Sequence, residues 1–105
     1  MPEIEDKSVL VDVFGESPFI KVVDTLMDHP SYEYTKKELA EVNDISRPTL
    51  YKIWDRLERL EIVEPARKIG STQLFMLNHD SDVVRSLYEM EEKLRDTEEK
   101  KSVKA

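Results

Sequence analysis

The chain has 105 residues, which is enough for one domain and too few for two. It contains no cysteine, so disulfides, cysteine-based zinc sites and cysteine nucleophiles are excluded. Acidic residues outnumber basic ones by 23 to 16, and the net charge of −7 argues against uniform affinity for nucleic acid, because phosphate is bound through Lys and Arg. No apolar run approaches the roughly 18 residues of a membrane span, and the acidic start lacks the order of a secretory signal. We therefore expect a cytoplasmic protein with no membrane contact.

The negative charge lies mostly outside the middle of the chain. Residues 35–73 carry eight basic and seven acidic side chains, a net charge of +1, whereas the remainder carries eight basic and sixteen acidic ones, a net charge of −8. This distribution permits a DNA-facing centre with acidic flanks.

The first third of the chain predicts one helix whose start and end are both marked by local signals. Residues 1–8 are charged and aperiodic, and we expect a flexible tail. Val9–Phe14 is an apolar run too short to separate strand from helix. The pair Ser17–Pro18 is a helix-start signal, and the apolar residues that follow are spaced as one buried face. Pro30 ends this helix, and Tyr32–Tyr34 could be a very short strand.

Two helices separated by a tight turn come next. Thr35–Glu38 has the T-x-x-E pattern of a reciprocal capping box. The helix that it starts lasts about two turns, up to the turn formers Asn43–Asp44. Ser46 caps the following helix, and Pro48 lies in its first turn. The second helix carries an apolar stripe over about fifteen residues: Leu50, Ile53, Trp54, Leu57 and Leu60.

After this helix the spacing of apolar residues changes to that of a β-hairpin, and a last helix follows. Two apolar segments between Ile62 and Asn78 flank a glycine-containing loop. Pro65 cannot donate to a ladder, so its strand lies at an edge or is interrupted there. Asp80 or Ser81 caps the final helix. Its apolar positions are spaced four, three and four residues apart, a seam typical of paired helices, and two more widen it: Val83, Leu87, Met90 and Leu94, with Val84 and Tyr88. The seam is either a dimer interface or packing onto the first helix, and we favour the dimer.

A helix-turn-helix needs a small residue where its helices touch and hydrophobes after the turn. Ala40, Ile45 and Leu50 meet these demands. Here the chain resembles the winged helix-turn-helix transcriptional regulators, in particular small MarR/ArsR-like factors common in archaea. The resemblance covers Phe14 to Leu94. Its motifs are residues 39–52 (LAEVNDISRPTLYK), 57–63 (LERLEIV) and the wing 67–75 (RKIGSTQLF).

The resemblance implies an α+β, mainly α, fold: a three-helix core, a β-hairpin wing and an additional C-terminal dimerisation helix. The corresponding organisation is a tail at 1–8, a winged domain at 9–78, a dimerisation helix at 79–96 and a frayed tail at 97–105. It also implies a homodimeric, nucleoid-associated regulator that binds double-stranded DNA. The recognition helix, residues 46–60, would enter the major groove, and the wing, residues 62–78, would contact the adjacent backbone or minor groove.

If the apolar stripe faces the core, the opposite face of the second helix is available to DNA. Arg47, Tyr51 and Lys52 are the candidates for base contacts. The remaining candidates offer hydroxyls, charge or shape to the backbone or wing groove: Lys36, Lys37, Ser46, Pro48, Thr49, Arg56, Arg67 and Lys68. The alternatives are ordinary solvated charges at the lysines, salt bridges at Arg56 and Arg59, the latter with Asp55, and core packing for Trp54.

No catalytic constellation, metal site or cofactor motif is present, so we expect no enzyme, no metal and no cofactor. The rival function is a winged-helix protein-interaction module of a transcription or replication assembly, which the acidic balance favours. A third is a sensor with a pocket near Tyr32, Tyr34 or the dimer interface. The sequence carries no signature of a small-molecule effector, which stays unknown.

Overall fold

The computed structural model describes residues 8–104, and side chains up to Glu99. Residues 1–7 of the predicted tail lie outside the described residues, and Ser8 belongs to the first helix as its cap. Five helices and a hairpin follow one another: α1 Val9–Phe14, α2 Pro18–Asp28, α3 Lys36–Val42, α4 Arg47–Arg59, β1 Val63–Ile69, β2 Thr72–Leu77 and α5 Asp82–Lys104.

Side-chain caps fix where the first two helices begin. The Ser8 hydroxyl accepts from the backbone N–H groups of Leu10 and Val11, and α1 ends at Gly15, whose φ is 92°. The apolar run that the sequence left open is therefore a helix. Ser17 accepts from the N–H of Ile20, with proline at the first position of α2, as predicted.

Side-chain hydrogen bonds fix both the start of α3 and the turn that joins it to α4. The predicted capping box is present, with Glu38 N–H donating to Thr35 and Thr35 N–H donating to Glu38 at 2.9 Å. The buried amide of Asn43 donates to the Leu39 carbonyl at 2.9 Å and accepts from the Thr25 hydroxyl at 2.7 Å. Asp44 takes a φ of 54°, a conformation that aspartate tolerates better than most residues. The angle between the two helices is thus fixed by α2 as well as by the turn.

The core lies between α2, α3 and α4. Leu50, Ile53, Trp54 and Leu57 are buried on one side of α4, as the stripe predicts. Leu60, placed on the same stripe, is 39% exposed. The helix ends at Arg59 and the next residue but one, Glu61, has a φ of 58°, so the chain turns before Leu60 can reach the core.

The wing is an antiparallel hairpin with one extra partner. Its register shifts between Pro65 and Lys68, which is the interruption that a proline in a ladder predicts. Tyr34 forms an isolated bridge with Phe75, in which Tyr34 N–H donates at 2.8 Å and Phe75 N–H donates at 2.7 Å. The predicted very short strand exists as this single residue, and it ties β2 to the segment before α3.

The last helix starts on the body and extends beyond it. The Ser81 hydroxyl accepts from the N–H of Val84 at 3.2 Å, and the helix continues to Lys104, past the predicted boundary at Asp96. The radius of gyration is 15.0 Å, against about 13 Å for a compact chain of this length. The longest dimension, 54 Å, is twice the others. No helix in the described part of the chain is both long enough and apolar enough to cross a membrane.

The order of these elements is that of a winged helix-turn-helix. A mainly helical body carries the two helices of the motif, the two-stranded hairpin follows α4 directly, and an additional helix closes the chain. The predicted fold class is confirmed.

Candidate nucleic-acid interface

The second helix of the motif separates a buried face from a charged one. Leu50 and Leu57 are fully buried, whereas Arg47, Tyr51 and Lys52 are exposed, Tyr51 by 55%. Neither Arg47 nor Lys52 has an ion pair among the described residues. Their charges are therefore available to an external partner.

The start of α4 offers hydroxyls as well as backbone N–H groups. The Ser46 oxygen accepts from Thr49 N–H at 3.2 Å, and the Ser46 hydroxyl donates to Thr49 Oγ1 at 2.9 Å. The Ser46 oxygen thus caps the helix and its proton is donated to Thr49, while the Thr49 hydroxyl proton has no acceptor among the described residues. Pro48 is exposed beside them. Of the two hydroxyls, Thr49 is the better donor to a phosphate at this helix start.

Lys36 is drawn away from solvent by three aromatic rings. Its ammonium lies 4.7 Å from the centroid of Trp54, 5.4 Å from Tyr51 and 5.5 Å from Phe75. These distances are within the range of a cation–π interaction. Lys36 joins α3, α4 and β2, and it is not extended toward a phosphate. The neighbouring Lys37 is exposed.

The two arginines near the end of α4 are held by neighbouring side chains. The Arg56 guanidinium lies 4.6 Å from the Phe19 ring of α2. Arg59 donates to Asp55 at 2.9 Å, the pair predicted from their spacing. The exposed face of α4 thus contains two free cations near its start and two engaged ones near its end.

Of the two basic residues of the wing, one is held by a neighbouring side chain and the other is not. Arg67 donates to the Glu33 carboxylate at 2.9 Å, whereas Lys68 is exposed and has no ion pair in the part of the chain that the structure describes. Gly70, with a φ of 63°, forms the tip, and the adjacent Ile69 is 57% exposed.

Three residues of this surface escape sequence reasoning: Phe19, Glu33 and Phe75. Each one holds a predicted basic residue in place from a distant part of the chain, and Glu33 and Arg67 are separated by 34 positions. No local pattern marks such partners.

The apolar seam of α5 divides between the chain's own core and its surface. Val84 is only 3% exposed, and the Tyr88 hydroxyl donates to the Met27 carbonyl at 2.7 Å, so both residues serve the fold of their own subunit. Val83 and Met90 are 38% and 37% exposed. Leu87 and Leu94 are half-buried, and Leu87 packs against the core. The outer part of the seam is available to a partner, whereas Val84, Leu87 and Tyr88 serve the chain's own core.

A cluster of carboxylate side chains lies where α5 packs beside α2. Burial raises the pKa of Glu91, and Asp24 and Asp28 raise it further, while Arg95, at 3.8 Å, opposes them. Packing of α5 on the body therefore places negative charges close together.

Solved structures of regulators share this fold. A mutant of Lactococcus lactis ZitR is 20% identical with a TM-score of 0.61, covering 81% of this chain and 60% of its own. A mutant of S. aureus MepR is 17% identical with a TM-score of 0.59, covering 79% and 59%. A possible transcriptional regulator from Methanosarcina mazei Go1 is 11% identical with a TM-score of 0.55, covering 98% and 85%. The chain thus spans less than two thirds of the ZitR and MepR chains in these matches.

At these identities the likeness establishes the fold, which is a winged helix-turn-helix. No protein-family model matches the sequence, and no curated protein is detectably similar to it.

Proposed function

We propose that this protein is a non-catalytic transcriptional regulator of the cytoplasm, acting at the nucleoid, which binds duplex DNA as a homodimer. In this proposal α4 enters the major groove, and the hairpin contacts the adjacent backbone or minor groove. The supporting observation is the exposed face of α4, on which Arg47, Tyr51 and Lys52 lie opposite the buried stripe. The similar fold of solved regulators also supports this role.

The candidate contacts fall into three groups by how they are held. Arg47 and Lys52, free near the start of α4, fit the acceptors of a guanine edge. A second group fits phosphate and consists of two exposed lysines and one half-buried threonine: Lys37, Lys68 and Thr49. The third group is engaged within the protein and, in our proposal, positions the helix and wing: Lys36, Arg56 and Arg67.

Homodimerisation is supported by the way in which α5 leaves the body. A helix of 23 residues is about 35 Å long, and Val84, Leu87 and Tyr88 in its first part pack on the body. The apolar surface left for a twin subunit within the described residues consists of Val83, Met90 and Leu94. Two-fold symmetry then predicts a pseudo-palindromic site with half-sites about 34–36 Å apart.

The test selects bound duplexes from a random library and then measures the affinity of the variants by fluorescence anisotropy at several salt concentrations. Arg47→Ala and Lys52→Ala should each weaken the selected duplex by about 1–3 kcal/mol, roughly 5- to 150-fold, and relax the preference at one position. Lys68→Ala should weaken all duplexes alike and reduce the salt slope by about one.

The matched control is Arg59→Ala, which removes a cation from the same helix that is already paired with Asp55. We expect binding within about twofold of the parent, because an exposed pair contributes little. Equal affinity of the three test variants and the parent would show that the assigned surface is wrong.

A protein-interaction module is the second candidate, and the net charge of −7 favours it. It predicts that the parent selects no duplex at moderate salt, whereas the DNA-binding proposal predicts an enriched pseudo-palindrome. The selection step therefore separates the two functions before any variant is made.

A further inference from the structure

A cleft of about 580 Å³ opens between the end of α2 and the outer side of α3. It lies apart from the exposed face of α4 and from the seam of α5. Six residues line it: His29, Tyr32, Tyr34, Glu38, Glu41 and Val42. Its volume is within the range of cavities that hold small organic molecules.

The cleft presents aromatic and apolar surface to its opening. The rings of Tyr32 and Tyr34 lie with centroids 4.6 Å apart and planes inclined by 58°. Tyr34 is buried at the base, whereas Tyr32 is 55% exposed and Val42 is 61% exposed. One exposed ring and a β-branched side chain at the same opening form a surface that an apolar ligand body can cover.

Carboxylates dominate the charge of the lining. Glu38 and Glu41 contribute carboxylates, His29 contributes an imidazole, and no lysine or arginine of the described residues lines the cleft. Burial raises the pKa of the Tyr34 hydroxyl, and the charges of Asp28 and Glu38 raise it further, so this tyrosine stays neutral. One Glu38 oxygen accepts from Thr35, while Glu41 is exposed on the last turn of α3.

We propose that this cleft binds an amphipathic organic cation, such as a quaternary ammonium joined to an aromatic group. The exposed ring of Tyr32, which packs against the buried ring of Tyr34, attracts a cation through its ring electrons, and Glu41 supplies the opposite charge. An inorganic cation does not fit as well, because no three carboxylate or imidazole groups in the described part of the chain are placed to hold a metal. An organic anion would meet two carboxylates and, among the described residues, no lysine or arginine.

The experiment titrates the ¹⁵N-labelled full chain with benzyltrimethylammonium chloride and follows amide shifts by NMR, in the absence of DNA. We expect saturable shifts at Tyr32, Tyr34 and Val42. Benzyl alcohol and phenylacetate, the neutral and anionic counterparts, should bind at least about tenfold more weakly, since they lack the cation. Because no DNA is present, this result is independent of the proposed regulatory function.

Two exposed lining residues provide the variants. Glu41→Gln and Tyr32→Ala should each weaken the ammonium by about fivefold or more, and the matched control Glu89→Gln, an exposed carboxylate on α5, should leave the affinity unchanged. The spectrum of each variant reports its fold in the same experiment. Equal shifts from benzyl alcohol, shifts centred outside the cleft, or unaltered affinity in both variants would overturn the proposal.

Discussion

Lys36 and Lys37 are adjacent, and the structure predicts opposite roles for them. Lys36 lies among the rings of Tyr51, Trp54 and Phe75, whereas Lys37 points to solvent. Replacing each by methionine removes the charge but keeps an unbranched side chain of similar length. Lys36→Met should therefore cost stability, and Lys37→Met should cost affinity for DNA.

The magnitude follows from the ring distances. An ammonium over one ring contributes about 0.5–1 kcal/mol when exposed and about 2 kcal/mol when desolvated. Lys36 is half-buried, and its closest ring is 4.7 Å away, so we expect Lys36→Met to lower the free energy of unfolding by about 1–2 kcal/mol. Lys37→Met should change it by less than about 0.5 kcal/mol, as is usual for an exposed surface position.

Urea unfolding followed by circular dichroism measures both values without relying on Trp54, whose fluorescence the substitution would itself alter. The salt dependence of duplex binding supplies the second readout. We expect Lys37→Met to reduce the salt slope by about one and Lys36→Met to leave it unchanged. A Lys36 variant with parental stability and a reduced slope would refute the assignment and return Lys36 to the phosphate contacts.

Three further predictions concern the body and α5. Leu57→Ala should lower the free energy of unfolding by about 2–5 kcal/mol, and Leu60→Ala by less than about 1 kcal/mol, because of the two only Leu57 is fully buried. Urea unfolding measures both values, and similar losses would contradict the observed end of α4. Because the fold raises the pKa of Glu91, the contribution of this group to stability is fully present below the ordinary carboxyl pKa and is lost as the pH rises through the raised value. Glu91→Gln should therefore be more stable than the parent at pH 7 and not at pH 4 in urea unfolding, and an equal change at both would contradict this reasoning. Met90→Lys should raise the dissociation constant of the dimer by at least about tenfold, as measured by analytical ultracentrifugation. The control Glu92→Lys should have a much smaller effect. A monomeric parent would contradict the proposed dimer.

Local signals in the sequence predict most of the fold. Ser17–Pro18 and Thr35–Glu38 fix helix starts because capping depends on residues three positions apart. The stripe from Leu50 to Leu57 fixes the buried face of α4, since side chains at helical spacing share one side. The interruption at Pro65 follows from its missing donor.

The surface is predicted less completely, because its partners are distant in sequence. Spacing shows that Arg56 and Arg67 lie outside the core, but not that Phe19 and Glu33 hold them. The seam of α5 is visible as a periodic pattern, yet the pattern does not say which of its residues meets the chain's own body. Val84 does so, and only the folded position of α5 on the body reveals it.

The central claim is that the exposed face of α4 contacts duplex DNA. The most direct measurement places the photo-crosslinker p-benzoylphenylalanine at position 51, in the centre of that face, and at position 92, on the exposed side of α5. Irradiation with a labelled, selected duplex should yield a crosslink from position 51 and none from position 92. Crosslinks from position 92 alone, or from neither position at a concentration at which the duplex is bound, would contradict the account.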